Sequence, residues 1–483
     1  MRFIGNAPVD GEVRAIASGA LATGEAVVVN ADGTVSAVAG VSGGLGSEAV
    51  FENSNTAFLS STFDSVANKI IVAYRDSSNS NYPTAVVGTV NGTSISFGTP
   101  AAVDTSAPYS TSRPIAVTYD ANSEKVVVFY SRDASSGRPY AAVGTVSGTS
   151  ISFGTPVKII DNFDTRWYAA AYDVTNQKVV MAYQDDGGSN YGKAVVGTVS
   201  GTSISFGSVV TFESATTSII SMAYDENAGK IVIAYNDDAN SNYGTSIVGT
   251  VSGTSISFGS PVIFNSNYSG EIGATYEPVS QNVVIAYIVG GTTYGNAIVG
   301  TVSGTSISFG TSVVFESAAT GSVSIAASNS GGTVLISYGD TGNSNYGTAI
   351  LGTVSGTSVS FDPAFVFNAG ASYYTATSFD SNEGAFAISY KDDGNSSYGT
   401  SIVYKVSSTN LTSEGFVGFA NSGYADGQSA AINSTCAVDN KQSGLTAGQT
   451  YYVQTNGSLG TTPADPSVVA GTAISSNSII VKG

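Results

Sequence analysis

The sequence contains no histidine, and Cys436 is the only cysteine among its 483 residues. Without histidine, a Ser-His-Asp triad, most zinc sites and the commonest general base are excluded. A single cysteine excludes an intrachain disulfide bond and a metal site built from cysteines. These absences favour a protein that is not an enzyme.

Charged residues are also scarce, at 11% of the chain against about 25% in an ordinary globular domain. The formal net charge is −18, so the chain repels phosphate and is expected to bind neither nucleic acid nor an anionic lipid surface. No apolar run reaches the roughly 18 residues of a membrane-spanning helix, and membrane insertion is not expected. A hydrophobic content of 42% nevertheless predicts a folded chain.

The first residues, Met1 to Pro8, lack the apolar core of about 7–15 residues that a secretory signal carries. The composition, in contrast, is rich in glycine, serine, threonine and asparagine, as in many extracellular proteins. A virion protein that is made in a host cytoplasm and released by lysis reconciles the two observations. We therefore expect the protein to be located in a virion.

A repeat fills the middle of the chain. The motif Val-Ser-Gly-Thr-Ser-Ile-Ser-Phe-Gly recurs almost unchanged, and its first glycine lies at Gly92, Gly148, Gly201, Gly253, Gly304 and Gly356. A tyrosine that ends an apolar run occurs at Tyr74, Tyr130, Tyr183, Tyr235, Tyr287, Tyr338 and Tyr390. A second tyrosine, usually followed by glycine, occurs at Tyr82, Tyr140, Tyr191, Tyr243, Tyr294, Tyr346 and Tyr398. The sequence therefore contains seven copies of a unit of about 52 residues, one of which lacks the glycine motif.

Each copy is predicted to form four short strands. In the fourth copy these are 218–224, 230–235, 245–251 and 254–264, which are rich in β-branched and aromatic residues and bounded by glycine, asparagine and aspartate. In the first copy Asn91-Gly92 joins the last two strands, and this dipeptide is typical of a hairpin turn in which both residues have positive φ. No segment has a sustained helical period, so helices are not expected.

A four-stranded unit of this length is typical of a β-propeller blade. The seventh copy has no fourth strand, whereas residues 46–53, ahead of the first copy, align with the fourth strand at 310–317. The early segment is therefore predicted to complete the last blade and to leave no open sheet edge. The predicted fold is all-β, with a seven-bladed β-propeller over residues 44–411 in which residues 44–54 supply the closing strand.

The two ends of the chain, 1–43 and 412–483, lie outside the repeat and resemble each other. A leucine and two glycines keep the same spacing in both, at Leu21, Gly24 and Gly33 and at Leu445, Gly448 and Gly457. We expect an N-terminal and a C-terminal β module, which pack together into one small module built from the two chain ends.

The C-terminal end carries Gly-Leu-Thr-Ala-Gly at 444–448, Tyr-Tyr-Val at 451–453, Pro-Ser-Val-Val-Ala-Gly at 466–471 and Ile-Ile-Val-Lys-Gly at 479–483, and the N-terminal end carries Ile-Ala-Ser-Gly-Ala-Leu at 16–21. These motifs resemble segments of structural proteins from tailed bacteriophages, notably marine cyanophages. The resemblance implies a virion or tail-fibre component whose partners are other virion proteins, with a homo-oligomer as a further expectation. It implies no catalytic residue.

The loop between the second and third strands of a copy repeats aspartate, asparagine and tyrosine. In the third and fourth copies it contains Asp186 with Tyr191 and Asp238 with Tyr243. Carboxylates and amides ligate Ca²⁺ and hydrogen-bond sugar hydroxyls, so these residues are candidate saccharide or calcium ligands, and no other cofactor is expected. The alternative is structural: aspartate and asparagine form turns and the tyrosines pack between blades, a need that recurs in every copy.

One part of the first strand departs from the sevenfold likeness. Seven residues before the aspartate position of that strand stand Arg113 in the second copy and Arg166 in the third. The next position holds Trp167, the only tryptophan, and Tyr374 in the seventh copy. Arginine beside an aromatic ring suits a saccharide, through paired hydrogen bonds and ring stacking, so we predict a ligand site at the channel mouth. The alternative is an arginine–aspartate surface pair with the tryptophan filling the pore.

Three functions are compatible with these patterns. The first is a non-enzymatic virion component: a tail fibre or adhesion protein that recognises a host surface glycan, or a purely structural capsid or tail decoration protein. The second is a glycan-cleaving propeller enzyme, which needs two carboxylates about 5–10 Å apart in a cleft. The third is a bacterial surface adhesin with an export signal or anchor. The sequence favours the first.

Overall fold

The computed structural model describes residues 11–41, 43–106, 114–132, 137–160, 165–412, 414–464 and 466–482. The described residues form an all-β fold without an α-helix, as the sequence predicts, and include three one-turn 3₁₀ segments at Asp238–Asn240, Thr341–Asn343 and Asp393–Asn395. None of these segments is long enough to cross a membrane. The chain divides into a terminal unit, which is made of the two chain ends up to Gly44 and from Val406 onward, and a repeat unit, Leu45–Lys405.

The strands are numbered along the chain. The first five are β1 (Glu12–Ile16), β2 (Ala26–Val29), β3 (Val35–Ala37), β4 (Gly40–Val41) and β5 (Gly44–Leu45). The next are β6 (Ala49–Glu52), β7 (Thr56–Asp64), β8 (Lys69–Asp76), β9 (Tyr82–Asn91), β10 (Ser94–Phe97), β11 (Ala101–Ala102), β12 (Ala116–Asp120), β13 (Lys125–Arg132), β14 (Arg138–Ser147), β15 (Ser150–Phe153), β16 (Val157–Lys158), β17 (Thr165–Asp173), β18 (Lys178–Asp185), β19 (Tyr191–Ser200), β20 (Ser203–Phe206), β21 (Val210–Asp225), β22 (Lys230–Asp237), β23 (Tyr243–Ser252), β24 (Ser255–Phe258), β25 (Val262–Glu277), β26 (Asn282–Val289), β27 (Tyr294–Ser303), β28 (Ser306–Phe309), β29 (Val313–Glu316), β30 (Thr320–Ala327), β31 (Thr333–Asp340), β32 (Tyr346–Ser355), β33 (Ser358–Phe361), β34 (Phe365–Asp380), β35 (Ala385–Asp392) and β36 (Tyr398–Lys405). The last are β37 (Ser408–Thr409), β38 (Phe416–Ala420), β39 (Ser429–Asn433), β40 (Val438–Asp439), β41 (Thr450–Val453), β42 (Leu459–Gly460), β43 (Val468–Ala473) and β44 (Ile479–Val481).

Each of the seven repeats forms a sheet of consecutive antiparallel strands. Repeats 1 to 7 are defined by their second strands, β8, β13, β18, β22, β26, β31 and β35. In repeat 4, β22 pairs with the second half of β21 on one side and with β23 on the other. Ile231, Val232 and Ile233 of β22 have no exposed surface. Because β22 is buried on both faces, its sequence is a continuous run of apolar residues and does not alternate between apolar and polar residues.

The predicted single fourth strand at 254–264 is wrong, because the structure divides this segment in two. β24 and the start of β25 both pair with β23, one after the other along its length. Between them Gly259 donates its N–H to Val248 O (2.9 Å) and has no room for a Cβ against the backbone of Thr305, while Pro261 has no N–H to donate. β25 then continues without a break into the first strand of repeat 5.

The two-residue turn between the third and fourth strands is also of a different type from the one predicted. In repeat 1, Asn91 pairs with Ser94, so the central residues are Gly92 and Thr93. Gly92 has a φ of 61°, whereas Asn91 and Thr93 do not take positive φ. A positive φ at the first central residue alone is a type II′ turn, which requires glycine at that place. This explains why the glycine recurs in six repeats.

The tyrosine near the end of the second strand is buried in all seven repeats, with at most 1% exposed. The second tyrosine is not equivalent in all seven, which corrects the sequence alignment. In repeat 2 Tyr140 lies opposite Tyr130, whereas Tyr82 of repeat 1 lies opposite Asp76 and therefore corresponds to Arg138. The first tyrosine is thus the constant feature of the core.

A glycine and a phenylalanine occur together in five repeats. In repeat 5 a Cβ at Gly295 would collide with the ring of Phe315, and the same holds for Gly192 with Phe212, Gly244 with Phe264, Gly347 with Phe367 and Gly399 with Phe51. Repeats 1 and 2 have Pro83 and Pro139 in place of the glycine, and Val103 and Ile159 in place of the phenylalanine. The glycine is therefore needed to make room for the aromatic ring.

Gly295→Ala is expected to lower the free energy of unfolding by about 1–3 kcal/mol, because the added methyl group overpacks the core against Phe315. Adding Phe315→Val, which imitates repeat 1, should recover part of this loss by removing the collision. Urea unfolding of the two variants and the unsubstituted protein measures both effects. A Gly295→Ala protein as stable as the unsubstituted one would contradict this explanation.

The segment ahead of repeat 1 pairs with repeat 7. β6 lies antiparallel to β36, with Val50 opposite Thr400. Tyr390 of repeat 7 donates a hydrogen bond to Glu48 (2.8 Å), and Phe51 packs on Tyr74 of repeat 1 with ring centroids 5.1 Å apart. β6 therefore takes the place in the seventh sheet that β29 takes in the fifth.

The terminal unit contains two five-stranded sheets. One has the order β1-β39-β38-β2-β3 and so combines strands from both chain ends, and the other has the order β40-β44-β43-β41-β42. The similar segments of the two ends form similar hairpins: Asn30 N–H donates to Thr34 O and Gln454 N–H to Ser458 O, both at 2.8 Å. Their glycines have matching φ values of 82° at Gly33 and 83° at Gly457.

Candidate functional site

The first strand of six repeats has a bulge near its start. In repeat 3 the pairing of β17 with β18 shifts register between Arg166 and Ala169, and Trp167 takes a left-handed conformation with a φ of 54°. The equivalent residues Phe58, Ile219, Glu271, Ser322 and Tyr374 are left-handed too, and repeat 2 has Pro114 at this position. Such a conformation costs a residue other than glycine roughly 1–3 kcal/mol, and strain of this kind is often found at functional sites.

The bulges surround a cavity of about 440 Å³, which we call the mouth cavity. Its lining includes Arg166 and six of the seven residues at the bulge position, which are Phe58, Pro114, Trp167, Glu271, Ser322 and Tyr374. Further along the same strands a smaller cavity of about 230 Å³ is lined by all seven first strands, through Ser60, Val117, Ala170, Met222, Ala274, Ser324 and Thr377 among others. The bulge therefore places one variable residue from nearly every repeat around a common opening.

Aromatic side chains supply much of the apolar surface of the mouth cavity. Trp167 is 39% exposed and Tyr374 is 38% exposed. The ring of Phe58 lies 5.0 Å from that of Tyr374, centroid to centroid, and the Arg75 guanidinium lies 5.4 Å from the Phe58 centroid. Exposed aromatic faces at a concave site suit a ligand that has both apolar and polar surface.

Arg166 lines the mouth cavity and is held by an ion pair. Its Nε lies 2.7 Å from Oδ2 of Asp186. The arginine–aspartate pair that the sequence offered as an alternative is therefore present, although the Arg166 side chain stays 45% exposed. Arg113, the other predicted arginine, lies outside the described residues.

Asp186→Asn is expected to change the free energy of unfolding by less than about 1 kcal/mol, because an exposed ion pair gains little Coulomb energy and is screened by salt. Urea unfolding at low and at high ionic strength measures the effect, and the small loss should shrink at high salt. A loss above about 2 kcal/mol that does not depend on salt would contradict this.

The remaining predicted loop residues do not line the mouth cavity. Asp238 accepts a hydrogen bond from Ser218 Oγ (2.7 Å), and burial raises the pKa of Asp238. Tyr191 and Tyr243 are half-buried at the starts of β19 and β23. The neighbouring Asp237 accepts a hydrogen bond from Asn240 N–H (3.2 Å), as expected for a turn aspartate. These hydrogen bonds give the loop of repeat 4 a structural role.

Glu271 and Phe58 were not predicted as site residues, although they share the repeat position of Trp167 and Tyr374. Glu271 is the one carboxylate among the described residues that line the mouth cavity. Its side chain is open to the cavity, but the surrounding walls displace bulk water, and this desolvation raises the pKa of Glu271. Position within the repeat, not residue type, was the signal that could have identified both residues.

Among the described residues, no three cysteine, aspartate or glutamate side chains are grouped so that they could hold a metal ion. Cys436 is a free, exposed thiol. The calcium interpretation of the loops stays a prediction.

No protein-family model and no curated protein matches the sequence. Among solved structures, the chain is similar to AofleA from Arthrobotrys oligospora, at 10% identity over 72% of this chain and 97% of that one, with a TM-score of 0.43. A triple arginine-to-alanine variant of the same protein matches at the same identity and over the same fractions of the two chains, with a TM-score of 0.44.

Proposed function

We propose that the repeat unit is a seven-bladed β-propeller whose ring is closed by β6. Support comes from the pairing of β6 with β36 and from the cavity to which all seven first strands contribute. A further contact joins the first strands of repeats 1 and 7, where Ser61 Oγ lies 2.6 Å from Ser378 Oγ. The adjacent repeats 1 and 2 have a comparable contact, in which Val117 N–H donates to Ser60 Oγ (3.2 Å).

We also propose that the mouth cavity binds a saccharide. The observation that carries this proposal is the exposure of Trp167 and Tyr374 on strained bulges around a cavity of about 440 Å³. Pockets for small ligands measure about 300–1,000 Å³ and combine apolar walls with a few polar groups. The aromatic faces cover the C–H surface of a sugar ring, the Arg166 guanidinium donates to its hydroxyls, and Glu271 accepts from them.

The proposed activity is binding without cleavage. Glycoside hydrolysis commonly uses two carboxylates that flank the scissile bond, at about 5–10 Å from each other. Glu271 is the single carboxylate among the described residues of this lining, and the nearby Asp186 is paired with Arg166. A glycan-cleaving enzyme is the second candidate: release of reducing sugar by the purified protein, lost in Glu271→Gln, would establish it and overturn the proposal.

We propose that this binding attaches a virion to a host surface glycan and that the terminal unit joins other virion proteins. The resemblance of the terminal motifs to tailed-phage structural proteins supports this role. Imaging virions with an antibody to the chain tests it. Label on a tail or capsid surface is expected, and unlabelled particles would refute it.

Trp167→Ala is expected to weaken saccharide binding by about 30-fold or more, because a buried aromatic contact of this kind is commonly worth at least about 2 kcal/mol. Tyr294→Ala is the matched control, since Tyr294 is 38% exposed but does not line the mouth cavity. The measurement is binding of both variants to immobilised bacterial surface polysaccharide, with the melting temperature as a check on folding. Equal binding by the two folded variants would place the site elsewhere.

A further inference from the structure

At the opposite ends of the first strands, one repeat lacks an aromatic side chain that the other six carry. The residue before Asp64 is Phe63, and the equivalent residue is aromatic in five other repeats, at Tyr119, Tyr172, Tyr224, Tyr276 and Phe379, whereas repeat 6 has Ala327. A cavity of about 550 Å³ opens at this gap and is lined by Ala327, Phe63, Tyr276 and Phe379. We call it the repeat-6 slot. Along the strands, the smaller cavity lined by all seven repeats lies between the slot and the mouth cavity.

In other repeats, a tyrosine at this position makes a hydrogen bond to the backbone of the preceding repeat. The hydroxyl of Tyr172 accepts a hydrogen bond from Asn122 N–H in the turn of repeat 2, and that of Tyr224 accepts one from Thr175 N–H in the turn of repeat 3, both at 3.1 Å. Each tyrosine thus satisfies a backbone donor of the preceding repeat. A tyrosine at Ala327 would serve the turn of repeat 5.

The turn of repeat 5 satisfies its own donors instead. Five repeats have aspartate at the start of this turn, but repeat 5 has Glu277. The longer side chain accepts hydrogen bonds from Val279 N–H through Oε1 and from Ser280 N–H through Oε2, both at 2.7 Å. Because Glu277 accepts from both turn N–H groups, as Asp64 does in repeat 1, the turn of repeat 5 keeps these hydrogen bonds without a tyrosine at Ala327.

The lining of the slot combines apolar groups, uncharged polar groups and one carboxylate, that of Glu226. Phe63, Tyr276 and Phe379 are half-buried and present ring surface to it. Ser328 and Asn329 add a hydroxyl and an amide, and no lysine or arginine is among the described lining residues. Aromatic rings cover the C–H faces of a pyranose, while hydroxyl and amide groups pair with its hydroxyls in both directions.

We propose that the repeat-6 slot is a second saccharide site, separate from the mouth cavity, and that it takes one uncharged pyranose unit. The volume of about 550 Å³ lies within the range of small-ligand pockets, about 300–1,000 Å³. Two sites at the two ends of one set of strands allow a single molecule to bind two saccharide chains, which raises its avidity for a surface coated with them.

The test fills the slot with a larger side chain and measures saccharide binding at the slot separately from binding at the mouth cavity. Calorimetry measures the binding of the methyl glycosides of glucose, galactose, mannose and N-acetylglucosamine to the full-length Trp167→Ala protein, whose mouth site is disabled. This protein should bind at least one glycoside at a single site, and adding Ala327→Tyr should weaken that binding at least tenfold. Ala121→Tyr, which adds a tyrosine to the exposed turn of repeat 2, is the control and should leave binding unchanged.

Six repeats carry an aromatic residue at the Ala327 position, so Ala327→Tyr should fold, and its melting temperature verifies this. Ala327→Leu is the smaller filling variant if tyrosine disturbs the fold. No saturable binding by the Trp167→Ala protein, or binding that neither filling variant weakens, would overturn the proposal. The mouth site is judged on its own readout, the fluorescence of Trp167 in a protein that carries only Ala327→Tyr.

Discussion

Phe51→Ala is expected to lower the free energy of unfolding by about 3–5 kcal/mol, as much as Phe315→Ala does. Phe51 is 6% exposed and packs on Tyr74 and Phe97 at centroid distances of 5.1 and 5.3 Å. Phe315 is 7% exposed and packs on Tyr338 and Phe361 at 5.3 and 6.0 Å. The segment ahead of repeat 1 therefore contributes the same core contact as a strand in the middle of the repeats.

Urea unfolding of the two variants measures this equality. The comparison is well matched because both substitutions remove the same ring from the same kind of site, next to a glycine. If β6 closes the propeller, removing the aromatic side chain lowers the free energy of unfolding by the same amount at Phe51 and at Phe315. Near-wild-type stability of Phe51→Ala, with a large loss in Phe315→Ala, would show that β6 is a dispensable addition and would contradict closure.

Tyr338→Ala is expected to cost about 3–5 kcal/mol, because it empties a fully buried aromatic site. Tyr338→Phe separates the contribution of the hydroxyl, which donates to Glu316 at 3.0 Å. Burial and the Glu316 carboxylate both raise the pKa of Tyr338, so the hydroxyl stays protonated and keeps its donor role. Leaving Glu316 without this donor should cost about 1–3 kcal/mol.

Tyr183 is the control for the hydroxyl effect. It is equally buried, but its hydroxyl has no hydrogen-bond partner among the described residues, and Ile160 stands at the position that corresponds to Glu316. Tyr183→Phe should therefore be neutral or stabilising. Equal losses for the two Tyr→Phe variants in urea unfolding would contradict the assignment of Glu316 as the hydrogen-bond partner.

The repeat, the four-stranded unit and the lack of helix were predicted from the sequence because each is recorded many times over. Seven copies reveal which apolar and glycine positions the fold needs. The division of the fourth strand could not be predicted in the same way. It depends on the approach of Thr305 from the next repeat to Gly259, a tertiary contact without a local signal. The predicted turn type was wrong for a related reason. The pairing of Asn91 with Ser94 places Asn91 in the strand and makes Gly92 and Thr93 the central residues of the turn.

The candidate site was predicted in part. The alignment of the copies identified the position of Trp167 and Tyr374, because the residue type at this position differs among the copies, and a ligand site in a repeat protein is expected where the copies differ. The bulge that turns this position toward one cavity was not predicted, and for that reason Glu271 and Phe58 were not recognised as members of the same site. The loop residues Asp238, Tyr191 and Tyr243 were chosen by chemistry alone, and they lie outside the mouth cavity.

Trp167 is the only tryptophan of the chain and lines the proposed binding site, so its fluorescence tests the central claim most directly. Saccharides from bacterial surface polysaccharide are titrated into the unsubstituted protein while the emission of Trp167 and its quenching by acrylamide are followed. Binding at the mouth cavity predicts a saturable blue shift with protection from acrylamide, since the ligand displaces water from the indole ring. A saccharide that binds by calorimetry but leaves both the emission and the quenching of Trp167 unchanged would contradict the claim.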